Sequence, residues 1–432
     1  MTNKLLVSQN GRFIQYENGD PFFLLADTAW ELFHRLTIEE IEFYLDTRKR
    51  QGFNVIQSVL ISEIDGLRIP NVYGQLPLSD MNPEKQNPEY FDFVDKVLKM
   101  AEVKDLYLAM VPVWGDKIDR VFGTGPEILN EKNASSYGKW LGRRFCKNPN
   151  VIWMNGGDRS GGGKNFGIWD ALGKGIKSED PAHLMTFHPL GDASSSMWFH
   201  SSDWLDFNSC QSGHSMRNFP NHMMITYDYL RYPHKPCIDS EPRYEEHAVN
   251  WKPEENGVFD EYDVRQAAYW SVFAGACGHT YGAHPVWQMY DRHREPIGFV
   301  RHTWKEAMKL RGAEQLSHLK NLILSRPFFN RVPDQSLLIA PKVGEEHIRC
   351  SRGDGFAFFY LPCGGEIEIE TNDLIWEQST GWWFDPRCGE SIPVGPFKNT
   401  GRMTFVAPGK GRGNDWILVL DDSVCNYGKP DL

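Results

Sequence analysis

Val151-Ile-Trp-Met-Asn-Gly-Gly-Asp158 is an apolar run that closes on two glycines and an acid. Its β-branched and aromatic side chains, without polar alternation, suit a strand covered on both faces. Gly156 and Gly157 free the backbone to turn or to approach another group closely just before Asp158. Lys235-Pro-Cys-Ile-Asp-Ser-Glu241 reads the same way, apolar and then acidic, with Pro242 unable to continue a ladder. Two acids at the ends of separate strands point to a barrel, which gathers its strand ends around one cavity.

Working outward, six further apolar runs join these two: 22–27, 54–60, 107–113, 184–188, 207–211 and 275–281, giving eight strands with 151–155 and 236–240. Helical periodicity falls between them, over 89–104, 134–147, 165–177, 216–230, 262–273 and 302–320. A further helix opens at Thr37, where Glu40 completes a capping box and Ile41, Tyr44 and Leu45 share one face. Ahead of the first strand, Arg12–Tyr16 and Pro21–Leu25 predict a hairpin across Glu17-Asn-Gly-Asp20. Eight strand–helix units predict a closed (β/α)8 TIM barrel over residues 1–330. An open doubly wound sheet would want a glycine-rich phosphate loop after its first strand, and Ala26-Asp-Thr-Ala-Trp30 is not one.

Near Ser325-Arg-Pro327 the texture changes to short alternating segments at 355–361, 366–370, 401–406 and 415–420. These predict an antiparallel β-sandwich over residues 331–432, packed on the barrel because no low-complexity linker separates the two.

Composition narrows the partners. The chain has 432 residues and a net charge of −11, which argues against nucleic acid. It holds no apolar run long enough to span a bilayer. Aromatic residues make up 13%, a proportion that suits either sugar-stacking surfaces or a large aromatic core. Met1–Ser8 lacks the apolar core of a signal peptide. The expected location is the periplasm or the extracellular space, with the cytosol as the alternative. Of eight cysteines, Cys146, Cys210, Cys237 and Cys277 read as core residues. Cys350, Cys363, Cys388 and Cys425 are close enough in sequence to pair. The sequence fixes no oligomeric state and calls for no cofactor.

Glycoside hydrolysis needs a proton donor for the leaving oxygen and a second carboxylate to attack or to activate water. Asp158 is the expected acid/base and Glu241 the expected nucleophile. The structural alternative pairs each with its neighbouring arginine, Arg159 or Arg243; Asp239, Glu245 and Glu246 are rival acids. Asp239 is expected on the same side of the strand as Glu241. The other strand ends supply candidate substrate-binding groups: Asp27, Trp30, His34, Gln57, Trp114, Asp116, His188, Gln211, His214, His279, Tyr281 and Trp287, with His284 nearby. Hydroxyl-rich ligands want donors, acceptors and flat apolar faces in this mixture. No metal is assigned, although His188, His214, His279 and His284 could converge on a divalent ion in a metal-dependent hydrolase. A barrel that binds carbohydrate without cleaving it is the third reading.

Ala26-Asp-Thr-Ala-Trp30, Asn155-Gly-Gly-Asp158, Asp239-Ser-Glu-Pro242 and Gly278-His-Thr-Tyr-Gly282 resemble the barrel of glycoside hydrolase family 140, the apiosidase-like group related to family 5 cellulases. Trp383-Phe-Asp-Pro-Arg387 and Asp415–Leu420 resemble the collagen-binding-type domain that follows that barrel. The resemblance implies a retaining enzyme with its acid/base after strand four and its nucleophile after strand seven. It also implies release of apiose from the pectin rhamnogalacturonan II. Exo action is expected on a separate ground: the long loops 61–88 and 115–133, after the second and third strands, could wall off one end of a groove. The wider clan carries Asn-Glu at the acid/base, where this chain has Gly157-Asp158.

Overall fold

The computed structural model describes residues 3–430. Residues 1, 2, 431 and 432, the outermost ends of the two expected domains, lie outside the described residues. Strands are numbered in chain order. The barrel strands are β3 (Leu24–Thr28), β4 (Val55–Val59), β5 (Tyr107–Val111), β6 (Val151–Arg159), β7 (Met185–Pro189), β9 (Asn208–Gln211), β10 (Cys237–Asp239) and β11 (Gly278–Tyr281). Before them come β1 (Leu5–Val7) and β2 (Ile14–Tyr16), and β8 (Ala193–Ser194) is a short insertion.

Six strands form one parallel ladder in the order β11-β3-β4-β5-β6-β7, and β9 pairs in parallel with β10. Single backbone bonds bridge the two remaining seams. Asp206 N donates to Met185 O at 2.8 Å and Cys277 N to Cys237 O at 3.0 Å, so the curled sheet closes on itself. Asn54 staples the first two strands, accepting from Leu25 N at 2.8 Å and donating to Phe23 O at 2.9 Å. At Gly278 an added Cβ would run into the Leu24 backbone, so β11 lies close against β3 only because that residue has no side chain.

The expected eight strands and their helices are present, with local corrections. The 17–20 turn forms, but β2 pairs antiparallel with the upstream β1 and meets 21 only in a single bridge. Residues 302–320 are two helices, Trp304–Ala307 and Arg311–Leu324, with Leu310 extended between them. The helix expected from 216 begins at Asn221, after Pro220. Thr37 and Glu40 make the capping box, bonding each other's backbone N–H at 3.3 and 3.1 Å.

Beyond the barrel, β12 (Val332–Pro333), β13 (Arg349–Gly353), β14 (Phe356–Leu361), β16 (Gln378–Phe384), β17 (Ser391–Lys398) and β19 (Trp416–Asp422) form an antiparallel sheet in the order β12-β13-β14-β19-β16-β17. Two more strands, β15 (Gly364–Glu370) and β18 (Arg402–Lys410), pair over it. Alternation sorts β14 and β19 into two faces. Phe356, Phe358, Tyr360, Ile417 and Val419 merge with the barrel core, whereas Ala357, Phe359, Leu361, Leu418 and Leu420 meet the β15–β18 pair. The barrel helix Glu261–Phe273 covers the first face, and its side chains from Tyr262 to Phe273 are all buried. Tyr269 stacks on Tyr360 with ring centroids 4.8 Å apart. Two buried bidentate pairs cross the same boundary: Arg265–Asp415 at 2.7 and 3.0 Å and Arg326–Asp421 at 2.7 and 2.8 Å. All eight cysteines are free, so the pairing open to the last four does not occur. Among the described residues no helix is long and apolar enough to cross a membrane.

Candidate active site

At the C-terminal ends of the barrel strands opens a cavity of about 760 Å³. The two long loops after β4 and β5 contribute Glu63 and Phe122 to its wall. Trp30, Trp114, Asp158, Gln211, His214, Glu241 and Trp287 of the expected residues line it. His188 lies just beneath, its ring packed by Trp30 and Trp114 at 5.3 and 5.7 Å.

The glycines of β6 shape the end of that strand at the cavity. Gly156 and Gly157 take φ of +98° and +128°. An added Cβ on Gly157 would lie 2.9 Å from Gly115 N and 3.0 Å from the Trp114 ring, so this backbone must be bare. Asp158 follows at φ +52°, and the β6–β7 register slips between Gly156 and Arg159. The bulge re-aims the Asp158 carboxylate at the barrel axis. Arg159 turns the other way and holds the β5 loop, donating to Asp119 O at 2.6 Å and Phe122 O at 2.5 Å.

One oxygen each of Asp158 and Glu241 and His188 Nε2 lie within 4.8 Å of one another. His188 Nε2 is 3.2 Å from Glu241 Oε2 and 3.6 Å from Asp158 Oδ1. Its Nδ1–H faces Ser240 Oγ at 3.2 Å, and Ser240 in turn donates to Cys210 O. These three inward atoms, Asp158 Oδ1, His188 Nε2 and Glu241 Oε2, are buried and have no aligned hydrogen bond within the protein. Buried polar atoms left unsatisfied around one point mark where a ligand's polar groups would sit. His214 Nε2 reaches Glu241 Oε1 at 3.2 Å, while its Nδ1 accepts from Tyr244 N at 3.4 Å.

The two acids are driven apart in acidity. Asp158 is 22% exposed, toward the cavity. Its pKa is raised by desolvation and then by the Glu241 charge, against opposing help to its ionised form from His188 and Gln211. Burial also pushes Glu241 up, but His188 and His214 outweigh it and hold that carboxyl well below the usual range. His188 lies between the two acids, and despite its own burial their charges raise it to about 9. An imidazolium there neutralises part of the paired negative charge.

The remaining expected residues serve the scaffold. Asp27 is fully buried against Arg48 at 2.6 Å and the Tyr44 hydroxyl, outside the cavity. Tyr281 donates to Glu245 at 2.6 Å, and His279 Nδ1 bonds Ser271 Oγ at 2.8 Å in the helix layer. Asp116 pairs with Lys117 at 2.6 Å, and His34 lies among Glu31, Ser62 and Ile69 O. Gln57 sits inside the barrel and braces Ser240 O at 3.0 Å. Asp239 does not share the Glu241 side: it bonds Ser212 and Asn221 between barrel and helices. Glu245 and Glu246 bond Gly312 N and His302. The four histidines do not converge; of them only His188 belongs to a possible ligand set, with Asp158 and Glu241. Arg243 donates to Gln266, so neither acid is locked to its neighbouring arginine.

Sequence reasoning missed Glu63, Tyr244, His247 and Trp251, all on the wall. Glu63 sits in a loop recognised only for its length. It is pushed up to about 8 by desolvation and by the Asp158 and Asp116 charges. Tyr244 and His247 flank the rival acids 245 and 246, and nothing in their spacing separates them.

A family model described as the apiosidase-like catalytic domain matches residues 8–330. One described as the collagen-binding domain of a collagenase matches residues 332–421. A solved structure titled glycoside hydrolase is 35% identical, with TM-score 0.92, over 99% of this chain and 98% of its own. A family 5 glycoside hydrolase from Bacteroides vulgatus is 33% identical, with TM-score 0.93, over 99% and 95%. A family 27 β-L-arabinopyranosidase from Geobacillus stearothermophilus shares the fold alone, at 8% identity and TM-score 0.54 over 94% and 97%. No curated protein matches the chain. With its barrel matched end to end and two solved glycoside hydrolases alike along nearly its full length, the chain belongs to the apiosidase-like family and is a carbohydrate-active hydrolase.

Proposed function

We propose that the protein is a retaining, exo-acting glycosidase that releases apiose from a branched pectin, rhamnogalacturonan II, with Glu241 as nucleophile and Asp158 as acid/base. The observation that carries this reading is the pair of carboxylates meeting at His188, oxygens within 4.8 Å, with one acid raised and the other lowered. Retaining enzymes hold their carboxyl groups about 5–5.5 Å apart, whereas inverting ones leave roughly 6.5–9.5 Å for a water. Ionised Glu241 attacks the anomeric carbon as Asp158 gives its proton to the leaving oxygen, forming a glycosyl ester. Esterification removes the Glu241 charge that raised Asp158, so Asp158 becomes the base that takes a proton from the hydrolytic water. The loops after β4 and β5 wall the cavity and favour a chain end over a continuous groove. The family's name supplies the sugar.

The test is turnover of 4-nitrophenyl β-D-apiofuranoside and of rhamnogalacturonan II oligosaccharides, with the anomer of the first product read by proton NMR. Retention is expected; an inverted product reassigns Glu241 as the base of a water. Asp158, His188 and Glu241 are also a plausible donor set for a divalent cation. Activity is therefore compared before and after chelation. Loss that zinc or manganese restores would replace this mechanism with a metal-dependent one.

A further inference from the structure

A strained turn stands on the cavity wall, beyond the catalytic pair. Asn250 and Trp251 are consecutive non-glycine residues at φ +53° and +60°. For a bulky residue this backbone is an outlier, and such strain persists only where the surroundings enforce it. They do so here. Asn250 N donates to His214 O at 2.8 Å, Trp251 N to Ala248 O at 3.0 Å and Val249 N to Gly257 O at 3.0 Å. From the facing loop, Gly298 comes so near that an added Cβ would lie 2.9 Å from the indole. All this rigidity holds a large aromatic side chain that remains 53% exposed and lines the cavity.

A second observation lies beside it. His247 is buried and stacks on His214 with ring centroids 4.1 Å apart, and its edge meets Trp251 at 4.4 Å. Its Nδ1–H donates to Ala248 O at 2.7 Å, which leaves Nε2 as an acceptor. That Nε2 has no partner in the protein, and the residue lines the cavity. Burial and the neighbouring His214 and His284 hold His247 well below the usual histidine range, so the ring stays neutral. The contacts run in order from Glu241 to His214, His247 and Trp251, so this wall is joined to the Glu241 side of the pair.

We infer that residues 247–251 form the recognition site for the sugar that is transferred, with Trp251 its stacking platform and His247 Nε2 the acceptor for one of its hydroxyls. A ring whose anomeric carbon meets Glu241 extends along this wall, while the leaving group departs on the Asp158 side. An unprotonated acceptor beside an apolar face selects a neutral sugar and rejects a uronic acid, whose carboxylate would find no donor at that nitrogen. The inference rests on the glycosidase reading and adds which part of the substrate this wall reads.

The test measures kcat/KM for the wild type, Trp251→Ala, Trp251→Phe and Glu241→Gln. The substrates are 4-nitrophenyl glycosides of neutral pentoses, neutral hexoses and hexuronic acids, with pectic oligosaccharides bearing the preferred terminal sugar. Trp251→Ala is expected to lose about tenfold or more on the aryl glycoside and the oligosaccharide alike, with Trp251→Phe retaining most of the wild-type value. Uronosides are expected to be poor substrates. A loss confined to the oligosaccharide, an unchanged kcat/KM, or a preference for a uronoside overturns the inference and leaves the glycosidase reading standing. Wild-type turnover by Glu241→Gln, or a wild type inert on the whole panel, overturns the glycosidase reading and the inference with it.

Discussion

At the scale of single residues, acidity is set by neighbours. Removing the proposed nucleophile in Glu241→Gln is expected to lower kcat by about 10⁴-fold or more. Asp158→Ala is expected to lose about 10²–10⁴-fold on oligosaccharides and far less on 4-nitrophenyl glycosides, whose leaving group needs little proton donation. Added azide should then restore turnover with the product's anomeric form unchanged, an outcome that separates an acid/base from a structural carboxylate. Glu63 gives a finer test. Burial and the Asp158 and Asp116 charges keep it protonated up to about pH 8, so it carries no charge while Asp158 gives up its proton. Glu63→Gln copies that neutral form. The basic limb of the kcat/KM profile should therefore stay in place below pH 8, and a limb that moves by a full pH unit would refute a protonated Glu63. None of this could be read from spacing, because Glu63 and Asp158 lie ninety-five positions apart and meet only across loops.

At the scale of elements, β6 and the helix Glu261–Phe273 carry the most consequence. Gly157→Ala places a Cβ at φ +128° against Gly115 and Trp114. Roughly 2–4 kcal/mol of destabilisation is expected, with a disproportionate loss of kcat because the bulge that aims Asp158 must shift. Denaturant midpoints and kinetics together check this. Arg265→Ala leaves Asp415 buried without its partner and should cost about 3–5 kcal/mol. Replacing both by apolar residues should cost less. The apolar strands and capped helices were legible because burial on both faces and a 3.6-residue period are local signals. Side-chain direction was not. Asp27, His279 and Tyr281 end or occupy strands as Glu241 does, yet they point into the helix layer. The strand β17, with Pro393 and Pro396 at an exposed sheet edge, gave no alternating pattern to find.

At the scale of the whole molecule, buried histidines and buried carboxyls pull the response to acid in opposite senses. Burial lowers His222, His279 and His284 to about 3, and His247 well below its ordinary value. Below pH 6.5 the unfolded chain binds protons that these rings refuse, so they lower stability as pH falls. His188 works in the opposite sense, its stabilising contribution present below 6.5 and lost as pH rises through about 9. So do Glu63, Glu245 and Asp228, which burial raises to about 8, 7 and 6 and which the folded chain protonates before the unfolded one does. The two sets offset each other, so the melting temperature should change little between pH 7 and pH 5; a fall of about ten degrees would contradict this. The two-part organisation was visible in the change of texture near residue 327, but the sharing of one core across it was not. That follows from which face of β14 and β19 looks at the barrel, and a one-residue slip would reverse it.

The shared core bears on how the chain is made. A ribosome releases the helix Glu261–Phe273 well before it synthesises β14 and β19, the strands that cover it. During that interval Tyr269, Phe273 and Arg265 lack the partners Tyr360, Phe358 and Asp415 that later cover them. The nascent barrel thus waits, adhesive on one flank, until the strands from β12 to β19 have followed. Hydrolytic competence should arrive only after β19 has emerged, and ribosomes stalled near codon 330 should hold an inactive, protease-sensitive chain.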